Sequence, residues 1–113
     1  MKSIAPTLAI LASILGPASN AATLTVGKGG GFEHSSITSA YQVSSEGDTI
    51  LVAPGFYNAA GGEIFPLTVK NGIQLKASNP GVRPTIRGNG ETSVFQISGP
   101  TGWLIEGFVI TGG

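Results

Sequence analysis

Carboxylate side chains are the first candidates for chemistry in this sequence, because a pair of them can hydrolyse a glycosidic bond and a cluster can bind calcium. Asp48 is the one aspartate, and Glu46 precedes it by two positions. Glu63 and Glu91 lie in glycine-rich segments, and Glu106 lies at a predicted corner of the chain. Calcium needs about six to eight oxygen ligands, and hydrolysis needs two carboxylates at a set separation. We therefore predict no catalytic residue and no metal ligand here, and we expect Glu46 and Asp48 to be solvated.

Two other polar motifs lack the partners that their chemistry requires. The segment GKGGG, residues 27–31, places a lysine among glycines, but a phosphate-binding loop has the order GxxxxGK[ST] ahead of a helix. His34 is the only histidine, and no second histidine or Ser–Asp pair accompanies it to form a metal site or a triad. We predict a flexible turn at GKGGG, a polar residue before a helix at His34, and no cofactor.

Possible ligand contacts are Arg83, Arg87 and Tyr57. The two arginines lie on either side of Pro84, and guanidinium groups match carboxylates, so they could contact a carboxylated sugar. Tyr57 and its neighbour Phe56 could stack on a sugar. Two alternatives remain open: the arginines only keep a wall of strands soluble, and the aromatic pair packs over the end of the fold.

Composition and the N-terminal segment limit the class of protein. A formal net charge of +0 with 11% charged residues provides no electrostatic surface for nucleic acid. Residues 1–21 combine Lys2, an apolar run from Ile4 to Leu15, and small residues at Ser19 and Ala21, which is typical of a secretory signal peptide. The apolar run is shorter than the roughly 20 residues of a membrane span. We predict a secreted or cell-surface protein with no stable membrane span.

A strand and a short helix are predicted before residue 48. Residues 23–26 alternate as in a strand, and Ile37, Ala40 and Tyr41 recur at helical spacing. Ser35 or Ser36 is a candidate N-cap, and we expect Gly47 to end the helix.

Short apolar clusters with a period of two recur after residue 48, as in strands with one buried and one solvated face. Aligning residues 71–90 with residues 101–113 indicates a period of about 20 to 30 residues, which is typical of a solenoid. The aligned pairs are Ile73 with Trp103, Leu75 with Ile105, and Ile86 with Phe108 or Ile110.

The segment GDTILVAPGFY, residues 47–57, indicates how such short strands are joined. A strand of three to five residues is stable when similar strands stack above and below it. Pro54 presets its backbone and Gly55 permits a positive φ, so this pair predicts a corner between two walls of strands. The alternative is a small antiparallel sandwich, in which Asn71-Gly72 and Asn89-Gly90 would be hairpin tips.

Three longer strings carry a family resemblance: SSITSAYQVSSEGDTILVAPGFYN, GEIFPLTVKNGIQLKAS and WLIEGFVITGG. They resemble the N-terminal part of right-handed parallel β-helix proteins of the pectin-lyase-like superfamily, and most closely an uncharacterised domain family of exported prokaryotic proteins. The resemblance implies an all-β, right-handed parallel β-helix (solenoid) whose short helix caps the N-terminal end, with Ile37, Ala40 and Tyr41 covering Ile50 and Val52. Together with the pattern of the first residues, it predicts a signal peptide at 1–21, a strand and capping helix at 22–47, and the first coils of the β-helix at 48–113.

These expectations lead to two functional hypotheses. The first is an exported β-helix segment of a surface or secreted protein that contacts polysaccharide and is not catalytic by itself. The second is the N-terminal portion of a polysaccharide lyase or glycoside hydrolase whose catalytic residues lie beyond residue 113. Whether the whole protein is an enzyme stays open. In both cases we expect further coils of the same β-helix to follow Gly113.

Overall fold

The computed structural model describes residues 21–97 and 101–113, and the predicted signal peptide lies outside them except for its last position. Within the described residues, one α-helix, α1 (Ile37–Val43), and a single 3-10 turn (Ala59–Gly61) accompany the strands. The strands are β1 (Thr23–Val26), β2 (Thr49–Val52), β3 (Phe56–Tyr57), β4 (Leu67–Val69), β5 (Gln74–Ala77), β6 (Thr85–Arg87), β7 (Phe95–Ile97), β8 (Leu104–Glu106) and β9 (Val109–Thr111). All of the strands are short, as their apolar clusters predict.

The strands form three parallel sheets that the chain visits in turn. Sheet A has the order β1-β2-β5-β8, sheet B has β9-β6-β3, and sheet C pairs β4 with β7. Every strand pairing in the described part of the chain is parallel. We call β2–β4 the first rung, β5–β7 the second rung and β8–β9 the third rung. The prediction of an all-β parallel fold is confirmed, whereas the sandwich alternative, which requires antiparallel hairpins, is wrong.

Strand register confirms the repeat that was read from the sequence. Leu75 pairs with Ile105 in sheet A, and Ile86 pairs with Ile110 in sheet B. These partners are 30 and 24 residues apart, so the period varies with the length of the loops between the walls. The strands keep their register because a slip of one residue would turn every apolar side chain outward.

The core lies between the three sheets. Its fully buried members come from alternate positions of the strands, and each contributes roughly 1.5–3 kcal/mol by leaving water. They include Ile50, Val52, Tyr57, Leu67, Val69, Leu75 and Ile86.

Helix α1 packs against β1, β2 and β4 and begins at the predicted cap. The Ser36 Oγ accepts a hydrogen bond from the Ser39 N–H at 3.1 Å, which satisfies one of the free donors of the first turn. Ile37, Ala40 and Tyr41 are buried in the same core as the strands of the first rung. The helix ends at Val43 instead of Gly47, because the Ser44 Oγ donates to the Tyr41 carbonyl and closes the last turn.

Glycines allow the chain to turn between the sheets. Gly55 has φ +149° and separates β2 in sheet A from β3 in sheet B, which confirms the corner predicted at Pro54-Gly55. Gly72 has φ +73°, and a Cβ there would lie 2.5 Å from the Glu46 Cγ. A side chain at Gly72 would therefore be strained by the positive φ and would require the Glu46 side chain to move.

Candidate functional site

The outer surface of sheet B combines an exposed aromatic ring with an exposed guanidinium. Phe56 pairs with Thr85, and Thr85 pairs with Val109, so these three residues form one row across the sheet. Arg87 follows Thr85 by two positions and therefore points to the same outer side, next to Thr111. Phe56 is 69% exposed and Arg87 is exposed. We call this surface the Phe56–Arg87 face; it consists of Phe56, Thr85, Arg87, Val109 and Thr111.

The predicted contact residues fall on both sides of this sheet. Arg83 is exposed and lies in the loop that enters β6, beside the buried Pro84. Tyr57 is fully buried, and its hydroxyl donates to the Ala53 carbonyl at 2.6 Å. Because side chains alternate along a strand, the exposed member of the aromatic pair is Phe56. The structure thus brings Arg87 and Phe56 to one face, places Arg83 at the start of the same strand, and leaves Tyr57 in the core.

The surroundings of Tyr57 explain its place in the fold. The Lys28 Nζ lies 5.1 Å from the centroid of the Tyr57 ring. Burial raises the pKa of Tyr57 above its ordinary value, and the negative charge of Glu63 raises it further. The hydroxyl therefore stays protonated and donates its hydrogen bond to the backbone.

Lys28, in the glycine-rich segment where we predict a flexible turn, contacts two other parts of the chain. Its Nζ donates to the Ser35 carbonyl at 2.7 Å and to the Gly61 carbonyl at 3.0 Å. The lysine thus ties residues 27–31 to the helix entry and to the loop after β3. His34 pairs through its Nδ1 with the Ser39 hydroxyl at 2.8 Å, consistent with a polar residue ahead of the helix.

Glu63 is a structural residue that the sequence alone did not reveal. Its Oε2 accepts from the Ile37 N–H at 2.7 Å, and its Oε1 accepts from the Thr38 N–H at 2.9 Å and the Thr38 hydroxyl at 2.7 Å. The first turn of α1 contains no acid of its own. A carboxylate is favoured at a helix N-terminus because free N–H groups and the helix dipole converge there. The sequence offers one signal for this role: Ser36 has no glutamate or glutamine three residues later, so the capping box lacks its acid.

Asp48 is likewise structural, contrary to our expectation that it is solvated. It is buried, and its two carboxylate oxygens accept from the Ala22 N–H and the Ser45 N–H, each at 2.9 Å. Glu46 is exposed, as expected. Asp48 therefore joins β1, the segment after α1 and the start of β2.

The acidic side chains and His34 are not grouped as a metal site would require. Within residues 21–97 and 101–113, no group of three or more His, Asp or Glu side chains could hold a metal ion. The best-buried acids, Glu63 and Asp48, already accept hydrogen bonds from the protein. In the same two ranges no helix is long and apolar enough to cross a membrane.

A small pocket lies between α1 and β4, and we call it the helix pocket. It has a volume of about 170 Å³. Thr38, Tyr41 and Gln42 line it from the helix, and Ile64, Leu67 and Lys70 line it from the other side. The Lys70 Nζ donates to the Ser44 carbonyl at 3.1 Å. The pocket therefore combines an apolar wall with one positive charge.

Comparison with known proteins places most of the chain in one family. A family model described as "Protein of unknown function (DUF1565)" matches residues 28–111. No curated protein and no solved structure matches the chain. The matched range includes α1, β2–β9, the Phe56–Arg87 face and the helix pocket.

Proposed function

This chain belongs to the DUF1565 family, and we propose that it is a segment of an exported, right-handed parallel β-helix protein that contacts polysaccharide through the Phe56–Arg87 face. The observation that carries this proposal is the presence of an exposed phenyl ring and an exposed guanidinium on one outer sheet surface. Aromatic rings stack on the apolar faces of sugars, and guanidinium groups bind carboxylates with two parallel hydrogen bonds. The favoured ligand is thus an acidic polysaccharide.

The geometry of the face suits an extended ligand. Phe56, Thr85 and Val109 form a row that crosses three neighbouring strands, and such strands lie about 4.8 Å apart. Arg87 lies on the next row, about 7 Å along the strand from Thr85. Arg83 adds a second positive charge before that strand. A chain of sugars lying across the strands would therefore contact the ring and one or both arginines.

Binding to an immobilised acidic polysaccharide, such as polygalacturonate, tests the proposal. Arg87→Gln and Phe56→Ala should each weaken binding about tenfold, and added salt should weaken the binding of the unchanged protein. Lys76→Gln is the matched control, because it removes one positive charge from sheet A instead of sheet B. Equal losses for Lys76→Gln and Arg87→Gln would refute a specific role for this face.

The segment itself is proposed to be non-catalytic. Support comes from the two buried acids, Glu63 and Asp48, whose oxygens are engaged by backbone and side-chain donors. We expect no release of reducing ends or unsaturated product from polygalacturonate, with or without calcium. Turnover that disappears in Glu106→Gln or Arg87→Gln would contradict this expectation and favour the lyase or hydrolase hypothesis.

The β-helix proposal extends the observed rungs into a coil that continues past the third rung. Its support is the order in which the chain visits the sheets from β2 onwards, A-B-C, A-B-C, then A-B, with parallel pairing throughout the described strands. The apolar surface of the third rung should be covered by another rung, and an exposed strand edge can template such pairing. The 113-residue chain alone should then self-associate in light scattering across a concentration series, and Ile110→Lys should reduce this association. A concentration-independent monomer would contradict the proposal.

Export is proposed on the pattern of residues 1–21 alone. Expression of the chain in a bacterial host, followed by fractionation and N-terminal sequencing, tests it. We expect the mature protein outside the cytoplasm with a new N-terminus at Ala22. Retention in the cytoplasm with residues 1–21 intact would refute export.

A further inference from the structure

Arg83 lies on the same outer side of sheet B as Arg87. The positions between them alternate, because Pro84 and Ile86 are buried whereas both arginines are exposed. Pro84 favours an extended backbone at Arg83, and the Pro84 carbonyl accepts a hydrogen bond from the Val109 N–H at 3.0 Å. The ladder between β6 and β9 therefore continues back to Pro84. Since side chains alternate along an extended chain, Arg83 points outward together with Arg87.

The two arginines lie on opposite sides of the row formed by Phe56, Thr85 and Val109, which we call the central row. Thr85 is two positions from each arginine, so each arginine Cα is about 7 Å from the central row along the strand. The arginine side chain is long enough to bring its guanidinium back towards that row. The Phe56–Arg87 face, extended by Arg83, is therefore a strip with one positive charge along each edge.

Both guanidinium groups are available to a ligand. In the described part of the chain, neither Arg83 nor Arg87 makes a hydrogen bond or an ion pair. Lys28 and Lys70 differ, because their ammonium groups donate to backbone carbonyls. A guanidinium without a protein partner keeps its paired donors for the carboxylate of a ligand. The strip thus offers two carboxylate sites, one on each edge.

The positions of these two sites limit the polysaccharides that can use both. The arginines belong to one strand, so a chain of sugars that follows the central row passes both at the same point of its length. Carboxylates on adjacent sugars are one sugar apart, a length similar to the strand spacing of about 4.8 Å. In an extended chain whose successive sugars are turned over, these carboxylates point to opposite sides. When a neutral sugar separates the acidic ones, the next carboxylate lies about two strand spacings farther along the row, so such a chain binds only one arginine at this point.

We propose that the Phe56–Arg87 face and Arg83 together bind a polyuronate in which adjacent sugars are acidic, with one carboxylate on Arg83, the next on Arg87, and a sugar ring on Phe56. This inference rests on the proposed function, because it concerns the same face. It adds which acidic polysaccharides the face prefers, and it makes Arg83 a specificity-determining residue. The preference comes from the simultaneous use of both arginines.

The test compares two oligosaccharides of the same total charge as ligands of the 113-residue chain. One is a mannuronate oligomer, in which every sugar is acidic, and the other is a hyaluronate oligomer, in which every second sugar is neutral. In isothermal titration calorimetry at low salt, the mannuronate oligomer should bind about tenfold more tightly. Equal affinity for the two oligosaccharides would overturn the inference. Absence of binding to either would refute the proposed function as well, so the two failures are distinguishable.

Variants then assign the two edges. Arg83→Gln and Arg87→Gln should each weaken binding of the mannuronate oligomer about tenfold, because one of two simultaneous contacts is lost. Each should weaken hyaluronate binding only about twofold, because the remaining arginine can take the carboxylate. Lys76→Gln is the matched control, since it removes one positive charge from sheet A, and it should leave the preference for mannuronate unchanged. An Arg83→Gln variant that keeps the full preference would refute the role of Arg83 and with it the inference.

Discussion

Equivalent apolar side chains are exposed to different extents at the two ends of the stack of rungs. In the second rung, Ile86 is fully buried, whereas its partner Ile110 in the third rung is 45% exposed. In sheet C the same contrast holds between Val69, which is fully buried, and Ile97, which is 47% exposed. At the end next to α1, the inward-facing Val26, Tyr57 and Leu67 are buried in the core that the helix joins.

This contrast shows that burial in a stacked fold depends on neighbours on both sides. Ile86 and Ile110 are the same residue type in register on neighbouring strands, so the pattern of either strand alone does not distinguish them. Each rung contacts only the rungs next to it, and stability is approximately a sum of such nearest-neighbour terms. The helix therefore acts at one end as a neighbouring rung acts elsewhere.

The largest expected effect comes from the matched isoleucines. Ile86→Ala should lower the free energy of unfolding by about 4 kcal/mol, because it leaves a cavity between two rungs. Ile110→Ala should lower it by about 1 kcal/mol, because its side chain remains partly in water in the folded state. Urea denaturation of both variants measures the difference. Equal losses would mean that Ile110 is covered in solution.

A second substitution should loosen α1 and so make the helix-covered end of the core more like the exposed end at the third rung. Glu63→Ala removes the acceptor of three hydrogen bonds at the start of α1, and unsatisfied donors at a buried site are costly. We expect a loss of about 3 kcal/mol in the free energy of unfolding, together with faster amide hydrogen exchange in α1. Glu91→Ala is the control at an exposed glutamate and should change stability by less than about 0.5 kcal/mol. Unchanged exchange in α1 would argue that packing alone holds the helix.

The smallest effect is a dependence on alkaline pH that belongs to the helix-covered end. Burial raises the pKa of both Tyr41 and Tyr57 above the ordinary value of 10.0. Their contribution to the free energy of unfolding is complete below about pH 10, where tyrosine in the unfolded chain is protonated. It is lost as the pH rises towards the pKa values of the folded state. Each tyrosine adds a slope of up to about 1.4 kcal/mol per pH unit in that window.

Urea midpoints between pH 9 and pH 12 test this dependence. The urea midpoint of Tyr41→Phe should fall less steeply with pH than that of the unchanged chain, because one of the two tyrosines with a raised pKa is gone. Ile110→Ala serves as the control from the third rung, and its profile should parallel that of the unchanged chain. Parallel profiles for Tyr41→Phe and the unchanged chain would contradict the stabilising role of the protonated Tyr41.

The candidate sites were only partly predictable from the sequence. Arg87 was identified by its type and position, but its aromatic neighbour is Phe56 instead of Tyr57, because two adjacent residues of a strand face opposite sides and the pattern did not say which side was inner. The sequence predicts a loop position for Glu63 and a solvated Asp48, but both are buried in the structure. Glu63 accepts from the Ile37 amide and Asp48 accepts from the Ala22 amide, and in each pair the residues are 26 positions apart. No local sequence pattern acts over that separation.

By itself, the sequence determined the features that depend on neighbouring residues. Period-two apolar clusters closed by glycine and proline predicted the short strands, the corner at Pro54-Gly55 and the repeat that pairs Leu75 with Ile105, because side-chain alternation and backbone freedom are local properties. Tertiary structure alone decided which acids became buried acceptors, which tyrosine hydroxyl has a hydrogen-bond partner, and how far each equivalent isoleucine is exposed. Those outcomes depend on chain segments that meet only when the rungs stack, and the contact that buries Glu63 against α1 exists only after both segments have reached the same end of the core.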